Sequence, residues 1–401
     1  MIDKERIEGD LIIINKKLSL LSWFYGLGVG FRNLLFEMGI LKSRSFNIPV
    51  ISVGNITVGG TGKTPHVEYL IRLLKNQAKV AVLSRGYKRK TKGFVLADEN
   101  ATVSTIGDEP YQMKTKFPDI TVAVDRKRTR GIENLTSGEY VKDIDVIFLD
   151  DAFQHRYVKP GINILLVDYH RLIIYDKLLP AGRLREPVNS KNRADIVIVT
   201  KCPKDLKPME FRVITKAMSL YPYQQLFFST HEFEALRPVF PKTPEYPESQ
   251  DLSSTLADKN VMLLTGIASP EQMLIDLKAY AKEVTPLAFS DHHNFKKKDV
   301  NHINEVFSAL PSPKVIVTTE KDETRLKQVE GLSDEVKASL YVLPIKIQIL
   351  QDQENSFNQT ILRYVHKHSR NGILVEKPDD HKPKDSDCSG DRPRTISFRN
   401  N

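Results

Sequence analysis

Short apolar runs alternate with segments in which apolar residues recur at helical spacing along most of this chain. The runs at residues 48–53, 80–83 and 146–149 lead into polar or glycine-rich stretches, as expected for strands that are buried on both faces. After the first run, residues 67–74 place apolar side chains at a helical period. The alternation predicts an α/β fold with a mostly parallel sheet flanked by helices.

This alternation is interrupted at residues 232–258, which are rich in Pro, Glu, Ser and Asp, and it then resumes. We interpret the interruption as a linker or hinge between two domains. The predicted division is an N-terminal extension at 1–45, a core domain at 46–231, the linker at 232–258, a second, smaller α/β domain at 259–365 and a disordered tail at 366–401. The tail is polar and lacks periodicity, which favours disorder.

The N-terminal extension is predicted to contain an amphipathic helix. Its apolar stripe consists of Leu20, Phe24, Leu27, Phe31, Leu34 and Met38. The uncharged run is shorter than the about 20 residues that a membrane-spanning helix needs. The stripe fits either a helix packed into the core or a helix that lies in a membrane interface, where nearby lysines and arginines would contact anionic head groups.

Charge and cysteine content narrow the choice of partners. The 401 residues have a formal net charge of +9, which favours a phosphorylated ligand, an acidic membrane surface or nucleic acid. The two cysteines, Cys202 and Cys388, are far apart in sequence and show no CxxC spacing. The sequence therefore provides no disulfide framework and no zinc motif, and it suits a reducing cytosol.

The strongest local signal is Gly-Gly-Thr-Gly-Lys-Thr at residues 59–64, between the first predicted strand and the first helix after it. In a phosphate-binding loop, backbone N–H groups and the helix N-terminus hold phosphate oxygens, Lys63 adds a full positive charge and Thr64 binds Mg²⁺. Thr57 stands where the Walker pattern has its first glycine, and the later Gly-Gly pair can supply the turn instead.

A second signal is the pair of carboxylates Asp150 and Asp151, which ends the apolar run at 146–149. A Walker B strand lies beside the loop strand and places an aspartate at the Mg²⁺ site. Together the two signals predict the core of a nucleoside triphosphatase or kinase. The residues Thr-Lys-Cys-Pro at 200–203 lack the Asn-Lys-x-Asp pattern that reads guanine, which weighs against a GTPase.

Other polar clusters follow predicted strands or turns, and each also has a purely structural interpretation. Asp108 and Glu109 can act as a base or hold metal-bound water, but Asp-Glu-Pro is also an ordinary helix start. The basic segment that begins at Arg85 and the loop at 183–186 fit phosphate contacts or a solvated surface. Asp-His-His at 291–293 fits an acid–base cluster or a helix cap.

Several segments, taken in order, carry a resemblance to a known family. They are Ser-Trp-Phe-Tyr-Gly at 22–26, the loop segment at 49–65, Ser-Arg-Gly-Tyr at 84–87, Gly-Asp-Glu-Pro at 107–110, Asp-Asp-Ala-Phe-Gln-His at 150–155, Gly-Arg-Leu-Arg-Glu-Pro at 182–187, Gly-Ile-Ala-Ser-Pro at 266–270, Asp-His-His at 291–293 and Thr-Glu-Lys-Asp at 319–322. From about residue 18 to about residue 365 the chain resembles the tetraacyldisaccharide 4'-kinase (LpxK) family. The family also has Thr at the position of Thr57, and it usually has Gly where this chain has Ala152.

The resemblance implies a reaction and a set of site residues. The γ-phosphate of ATP would pass to the 4'-hydroxyl of a tetraacyldisaccharide 1-phosphate, forming lipid IVA in lipid A biosynthesis. Asp108 and His292 would form a catalytic dyad, although the choice between His292 and His293 stays open. The other implied residues are Thr57, Gly59, Gly60, Thr61, Gly62, Lys63 and Thr64 for ATP, then Thr64, Glu109, Asp150 and Asp151 for Mg²⁺, and Arg85, Arg183, Arg185 and Glu186 for the active site or the substrate.

The resemblance also implies the surroundings of the protein. Its substrate would be an acylated disaccharide lipid, and the protein would be a monomer bound peripherally at the cytoplasmic face of the bacterial inner membrane. Two rivals are a P-loop ATPase that drives a protein partner, as metallochaperones do, and a basic nucleic-acid-binding NTPase. No nucleic-acid partner is expected, because the basic clusters lie at strand ends without interleaved aromatic residues.

Overall fold

The computed structural model describes residues 12, 14–241, 250–267, 270–290, 293 and 295–368. Within these ranges the strands are β1 Val50–Gly54, β2 Val80–Ser84, β3 Val95–Leu96, β4 Thr121–Val124, β5 Val146–Asp150, β6 Ile162–Asp168, β7 Ile196–Thr200, β8 Gln225–Phe233, β9 Arg237–Pro238, β10 Asn260–Thr265, β11 Glu283–Ala288, β12 Lys314–Thr318, β13 Leu340–Val342 and β14 Ile345–Ile349. The helices are α1 Ser19–Glu37, α2 Lys63–Leu74, α3 Val103–Ile106, α4 Asp108–Lys116, α5 Arg128–Thr136, α6 Pro208–Met218, α7 Leu252–Leu256, α8 Glu271–Leu277, α9 Lys297–Ala309, α10 Glu320–Leu326, α11 Asp334–Ser339 and α12 Glu354–His368.

A nine-stranded sheet with the order β14-β8-β7-β6-β1-β5-β2-β4-β3 forms the larger part of the fold. β1 is parallel to β5 and β6, whereas the edge strands β3 and β14 are antiparallel to their neighbours. Successive residues of β1 alternate between two cores. Ile51 packs in the same core as Val67 of α2, and Val50 packs in the same core as Ile132 of α5. Because helices cover both faces, β1, β2 and β5 are buried throughout, as their apolar runs predicted.

This strand order determines where the chemistry can take place. β1 lies beside β5, and β5 lies beside β2, with all three parallel. Their carboxyl ends therefore meet at one edge of the sheet, which is where open α/β sheets bind their ligands. The loop after β1, the carboxylates at the end of β5 and the basic segment after β2 are brought together at that edge.

A five-stranded sheet with the order β11-β10-β12-β13-β9 forms the smaller part. Met262 and Leu264 of β10 pack in one core with Phe307 of α9, whereas Val261 and Leu263 face the opposite side. The chain then returns to the larger sheet as β14, and α12 packs against the core of that sheet.

β14 and most of α12 fall within 259–365, the range predicted for the smaller domain, and the division into domains stays a prediction. α12 continues to His368, slightly into the range predicted to be disordered. The remainder of the predicted tail, from 369 onward, and residues 242–249 of the predicted linker lie outside the described residues.

α1 lies on the larger part with one face turned outward. The Ser22 hydroxyl donates to the carbonyl of Leu178, and the Tyr25 hydroxyl donates to the carbonyl of Arg185, both at 2.9 Å. The predicted apolar stripe is on the opposite face, where its side chains are between 49% and 68% exposed. None of the helices in the described ranges combines the length and the apolar content needed to cross a bilayer.

Candidate active site

The loop between β1 and α2 has the backbone that phosphate binding requires. Gly59 has a φ of 121° and Gly62 has a φ of 79°, so two of its glycines lie in the left-handed region that side chains disfavour. Thr57 does not have a positive φ, and it pairs with Leu184 in a short antiparallel bridge. Threonine is therefore accommodated at the position of the first Walker glycine, because the turn falls later in the loop.

A buried asparagine that the sequence reading missed supports this loop. The Asn55 side chain donates a 2.8 Å hydrogen bond to the hydroxyl of Thr61, and the carbonyl of Thr61 accepts one from the Thr200 hydroxyl at 3.1 Å. These contacts tie the loop to the ends of β1 and β7. Asn55 lies within the segment 49–65 that carries the family resemblance, but only its place directly after the first buried strand pointed to a role in the loop.

Two histidines lie behind the loop, and they were also missed. His66 contacts the carbonyl of Gly62 through Nδ1 at 2.7 Å and the hydroxyl of Ser229 through Nε2 at 3.0 Å. Burial lowers the pKa of His66 to about 4 and that of His231 to about 3. Both imidazoles are therefore neutral at pH 7, and Lys63 is left as the charged group of the loop.

The two carboxylates at the end of β5, Asp150 and Asp151, differ sharply in their electrostatics. Asp150 is fully buried, and burial together with the charges of Glu109 and Asp151 raises its pKa to about 7. Burial would also raise the pKa of Asp151, but Lys63 and Arg185 lower it to about 2. The distances from Asp151 Oδ1 are 3.8 Å to Lys63 Nζ and 3.1 Å to Arg185 Nη2.

This donor set suits a divalent cation. Ser84 donates to Oδ2 of Asp150 at 3.1 Å, while Oδ1 of Asp150 is buried without a hydrogen-bond partner in the described part of the chain. A cation would favour the ionised form of Asp150 and satisfy that oxygen. Among the described residues, no group of three His, Cys, Asp or Glu side chains comes together as a metal site. Mg²⁺ is usually held by one or two carboxylates together with water and substrate phosphates, so the residues fit.

Asp108 is the first residue of α4, and Gly107 before it has a φ of 95°. A Cβ atom at Gly107 would lie 2.9 Å from the carbonyl oxygen of Tyr87, so this turn requires glycine. The Asp108 carboxylate accepts a hydrogen bond from Arg325 of α10, a residue next to the smaller sheet. A Cβ atom at Gly107 would also lie 3.3 Å from Gly86, just after β2, so the turn that carries Asp108 and Glu109 lies at the carboxyl end of that strand. The charge of Glu109 also raises the pKa of Asp150.

The predicted dyad is described only in part. His292 lies outside the described residues. His293 lies just before α9. Its Nε2 is 3.0 Å from Oδ2 of Asp299 in that helix, and its ring stacks on Phe289. His293 therefore contributes to the start of α9, and the dyad stays a prediction.

The loop at 183–186 pairs with the phosphate-binding loop through its backbone. Val58 N–H donates to the Arg183 carbonyl at 2.8 Å, and Arg185 N–H donates to the Ile56 carbonyl at 2.7 Å. The Arg185 side chain contacts Asp151 and the Asn55 carbonyl, so it belongs to the site.

The remaining residues predicted to bind substrate lie in different surroundings. Glu186 is buried, accepts a hydrogen bond from Arg193 and lies 3.9 Å from Arg32 of α1, so it stabilises the packing beneath the loop. Arg183 and Arg85 are exposed. Their predicted contacts with substrate stay predictions.

A phosphate-binding loop with Lys63 beside paired aspartates, and a further aspartate at the same sheet edge, defines a P-loop phosphotransferase. The family model for tetraacyldisaccharide-1-P 4'-kinase (LpxK) matches residues 14–366. The chain belongs to this family.

Proteins with the same family name are similar in sequence over nearly the whole chain. The tetraacyldisaccharide 4'-kinase of Phocaeicola vulgatus is 58% identical over 91% of this chain and 99% of its own length. The enzyme of the same name from Porphyromonas gingivalis is 44% identical over 87% and 97%. The crystal structure of Aquifex aeolicus LpxK in complex with ATP is 31% identical, with a TM-score of 0.65 over 87% of this chain and 98% of that one. The predicted family, fold class and ATP-dependent kinase activity are confirmed.

Proposed function

We propose that this chain transfers the γ-phosphate of ATP to the 4'-hydroxyl of tetraacyldisaccharide 1-phosphate and so forms lipid IVA. The bond from the γ-phosphorus to the bridging oxygen breaks, ADP leaves, and a bond to the sugar oxygen forms. The observation that supports this most directly is that Lys63 lies 3.8 Å from Asp151 at the carboxyl edge of the larger sheet, where the turn before Asp108 also packs against the segment after β2. Family membership supplies the identity of the lipid substrate.

The phosphate-binding loop would hold ATP through its backbone. The N–H groups of residues 59–63 would face the phosphates, Lys63 would balance their charge, and Thr57, Thr61 and Thr64 would complete the loop. Lys63 Nζ lies 3.8 Å from Oδ1 of Asp151. A bound triphosphate would compete with Asp151 for this lysine. Arg185 stays close to Asp151 and would orient this carboxylate or contact phosphate oxygens.

Asp150, Asp151, Glu109 and Thr64 would hold Mg²⁺, which neutralises charge on the phosphate oxygens when it is bound. Asp108, together with His292, would accept the proton that the sugar hydroxyl loses as it attacks. Arg85 and Arg183 are exposed arginines near the site and would contact the anionic substrate.

α1 would dock on the cytoplasmic face of the inner membrane, where the lipid substrate is found. Its outward face is apolar, and Lys16 and Lys17 precede it while Lys42 and Arg44 follow it. Because α1 contacts Arg185 in the loop at 183–186, a docked helix would keep the site close to the lipid surface.

The decisive experiment measures ATP-dependent phosphate transfer to the tetraacyldisaccharide 1-phosphate in mixed micelles with Mg²⁺. We expect transfer by the wild-type protein, its loss in Lys63→Ala, and normal transfer in Lys79→Ala, which removes an exposed lysine at the start of β2. ATP hydrolysis without transfer would instead favour the partner-driven ATPase. Light scattering of the same preparations would test the expected monomer.

A further inference from the structure

The helix α10 contacts α4 at both of its ends. Arg325, near the end of α10, donates from Nη2 to Oδ2 of Asp108 at the start of α4. Glu320, at the start of α10, accepts a 2.6 Å hydrogen bond from Lys116 at the end of α4. The two helices therefore run in opposite directions, and an ion pair joins each end of α4 to α10.

The guanidinium of Arg325 is itself held by Asp322 of the same helix, which is bound to the end of β10 in the smaller sheet. Nη1 donates to Oδ1 of Asp322 at 3.2 Å. The other carboxylate oxygen of Asp322 accepts from the Gly266 N–H at 2.9 Å, at the end of β10, and from the Thr319 hydroxyl at 2.7 Å. Asp322 is fully buried, and the Arg325 side chain is only 6% exposed. Arg325 therefore has little rotational freedom, because both terminal nitrogens of its guanidinium are hydrogen-bonded.

We infer that Arg325 is a positioning residue for Asp108. A charge-assisted hydrogen bond to one carboxylate oxygen fixes the rotamer of Asp108 and so fixes the direction in which its other oxygen points. Proton transfer requires that this oxygen lie within hydrogen-bond distance of the substrate hydroxyl, and small misplacements cost large factors in rate. The inference rests on the proposed role of Asp108, and it makes that role dependent on the position of α10.

A second ion pair on the same helix provides a matched control. Arg237 of β9 binds Glu323 of α10 through two hydrogen bonds of 2.8 and 2.7 Å. This pair also involves an arginine, a carboxylate and α10, but it joins α10 to β9 of the smaller sheet rather than to α4. Loss of the Arg237 pair should perturb α10 without changing the orientation of Asp108.

The test compares Arg325→Met, Arg325→Lys and Arg237→Met in the transfer assay, with Asp108→Asn alone and combined with Arg325→Met. For Arg325→Met we expect kcat to fall roughly 30- to 100-fold with KM for ATP within about twofold of wild type. Arg325→Lys, which keeps the charge but not the fork, should recover about tenfold of that loss. In the Asp108→Asn background, Arg325→Met should change kcat less than about threefold, since the group it positions is already lost.

Three outcomes would overturn the inference. These are a wild-type kcat in Arg325→Met, an equal loss in Arg237→Met, or losses in the double variant that multiply as if the residues were independent. If Arg325→Met does not fold by circular dichroism, Arg325→Lys decides, and a wild-type kcat there shows that the fork is not needed. A wild-type kcat in Asp108→Asn alone would refute the proposed base, and this result is read separately from the Arg325 variants.

Discussion

Asn55 Nδ2 donates a 2.8 Å hydrogen bond to Oγ1 of Thr61, so the first side chain after β1 closes the phosphate-binding loop from the inside. The Asn55 carbonyl also accepts a 2.6 Å hydrogen bond from Gln154, which follows the paired aspartates. One buried residue thus connects the loop, the strand that precedes it and the segment after β5. The shape of the loop depends on this contact as well as on its glycines.

Substitution of Asn55 by Ala should therefore weaken ATP binding by changing the shape of the phosphate-binding loop. We expect KM for ATP to rise roughly tenfold and the free energy of unfolding to fall by about 1–3 kcal/mol, because buried polar partners lose their hydrogen bonds. ATP titration and urea denaturation measure the two effects. Asn301→Ala, at an exposed position of α9, is the control and should change neither. Unchanged nucleotide affinity in Asn55→Ala would show that the glycines alone set the loop.

Substitution of Gly107 tests the importance of the turn that precedes Asp108. Gly107→Ala forces a side chain into the left-handed region and brings Cβ to 2.9 Å from the Tyr87 carbonyl. Gly138→Ala has the same backbone problem at a φ of 79°, but its Cβ would meet nothing within 4 Å. Both variants should lose about 1 kcal/mol of unfolding free energy from backbone strain. Only Gly107→Ala should also lower kcat, by roughly tenfold or more, and similar kcat values in both variants would contradict this assignment.

Glu320 gives the interface between α4 and α10 a predicted pH dependence. Burial and the charge of Glu68 raise the pKa of Glu320 to about 7, against the opposing effects of Lys116 and Arg237. A raised pKa in the folded state means that this group stabilises the fold at low pH and that its contribution is lost as the pH rises through 7. Glu320→Gln should therefore gain stability relative to wild type between pH 5 and pH 8, by about 3 kcal/mol at most.

Urea denaturation of wild type and Glu320→Gln at several pH values measures this difference. Glu330→Gln, at an exposed position outside the interface, is the control and should follow the wild-type pH dependence. A constant difference between wild type and Glu320→Gln across the range would show that Glu320 does not titrate there.

The exposed stripe of α1 should set membrane affinity. Phe31 is 64% exposed, and its burial in a lipid interface is worth about 1.5–3 kcal/mol, so Phe31→Ser should lower partition into acidic phospholipid vesicles roughly tenfold or more. Tyr221→Ser removes an aromatic side chain that is 51% exposed on another part of the surface, and it should leave partition unchanged. Vesicle co-sedimentation measures both. Equal binding by the two variants and the wild type would assign the membrane contact to a different surface.

Much of the site was predictable because its signals are local in sequence. The loop at 59–64 and the pair Asp150 and Asp151 are short motifs at strand ends, and any open parallel sheet brings such ends together. Asn55 and Arg325 gave no comparable signal. Their roles come from partners that lie far away in sequence, since Arg325 reaches Asp108 across 217 positions.

Glu186, in contrast, had a local sequence signal, but that signal did not show where its side chain lies. Its position directly after Arg185 on a loop with Pro and Gly suggested an exposed, substrate-facing side chain, but the structure buries it against Arg193 and Arg32. Local sequence indicated the loop correctly but could not show which of its side chains turns inward. The sequence also could not show which sheet β14 joins, because the alternating pattern of that strand fits an edge of either sheet.

The crossing between the two sheets has a mechanical consequence. The chain leaves the larger sheet after β8 and re-enters it at β14, and these two strands pair with each other. At the crossing, Glu234 N–H donates a 2.9 Å hydrogen bond to the Pro344 carbonyl, so the outgoing and returning segments lie side by side. The 234–344 segment is thus inserted at the end of a hairpin. The paired ribbon therefore joins the inserted segment to the larger sheet at one place, and the ion pairs of Arg325 with Asp108 and of Lys116 with Glu320 join it at a second.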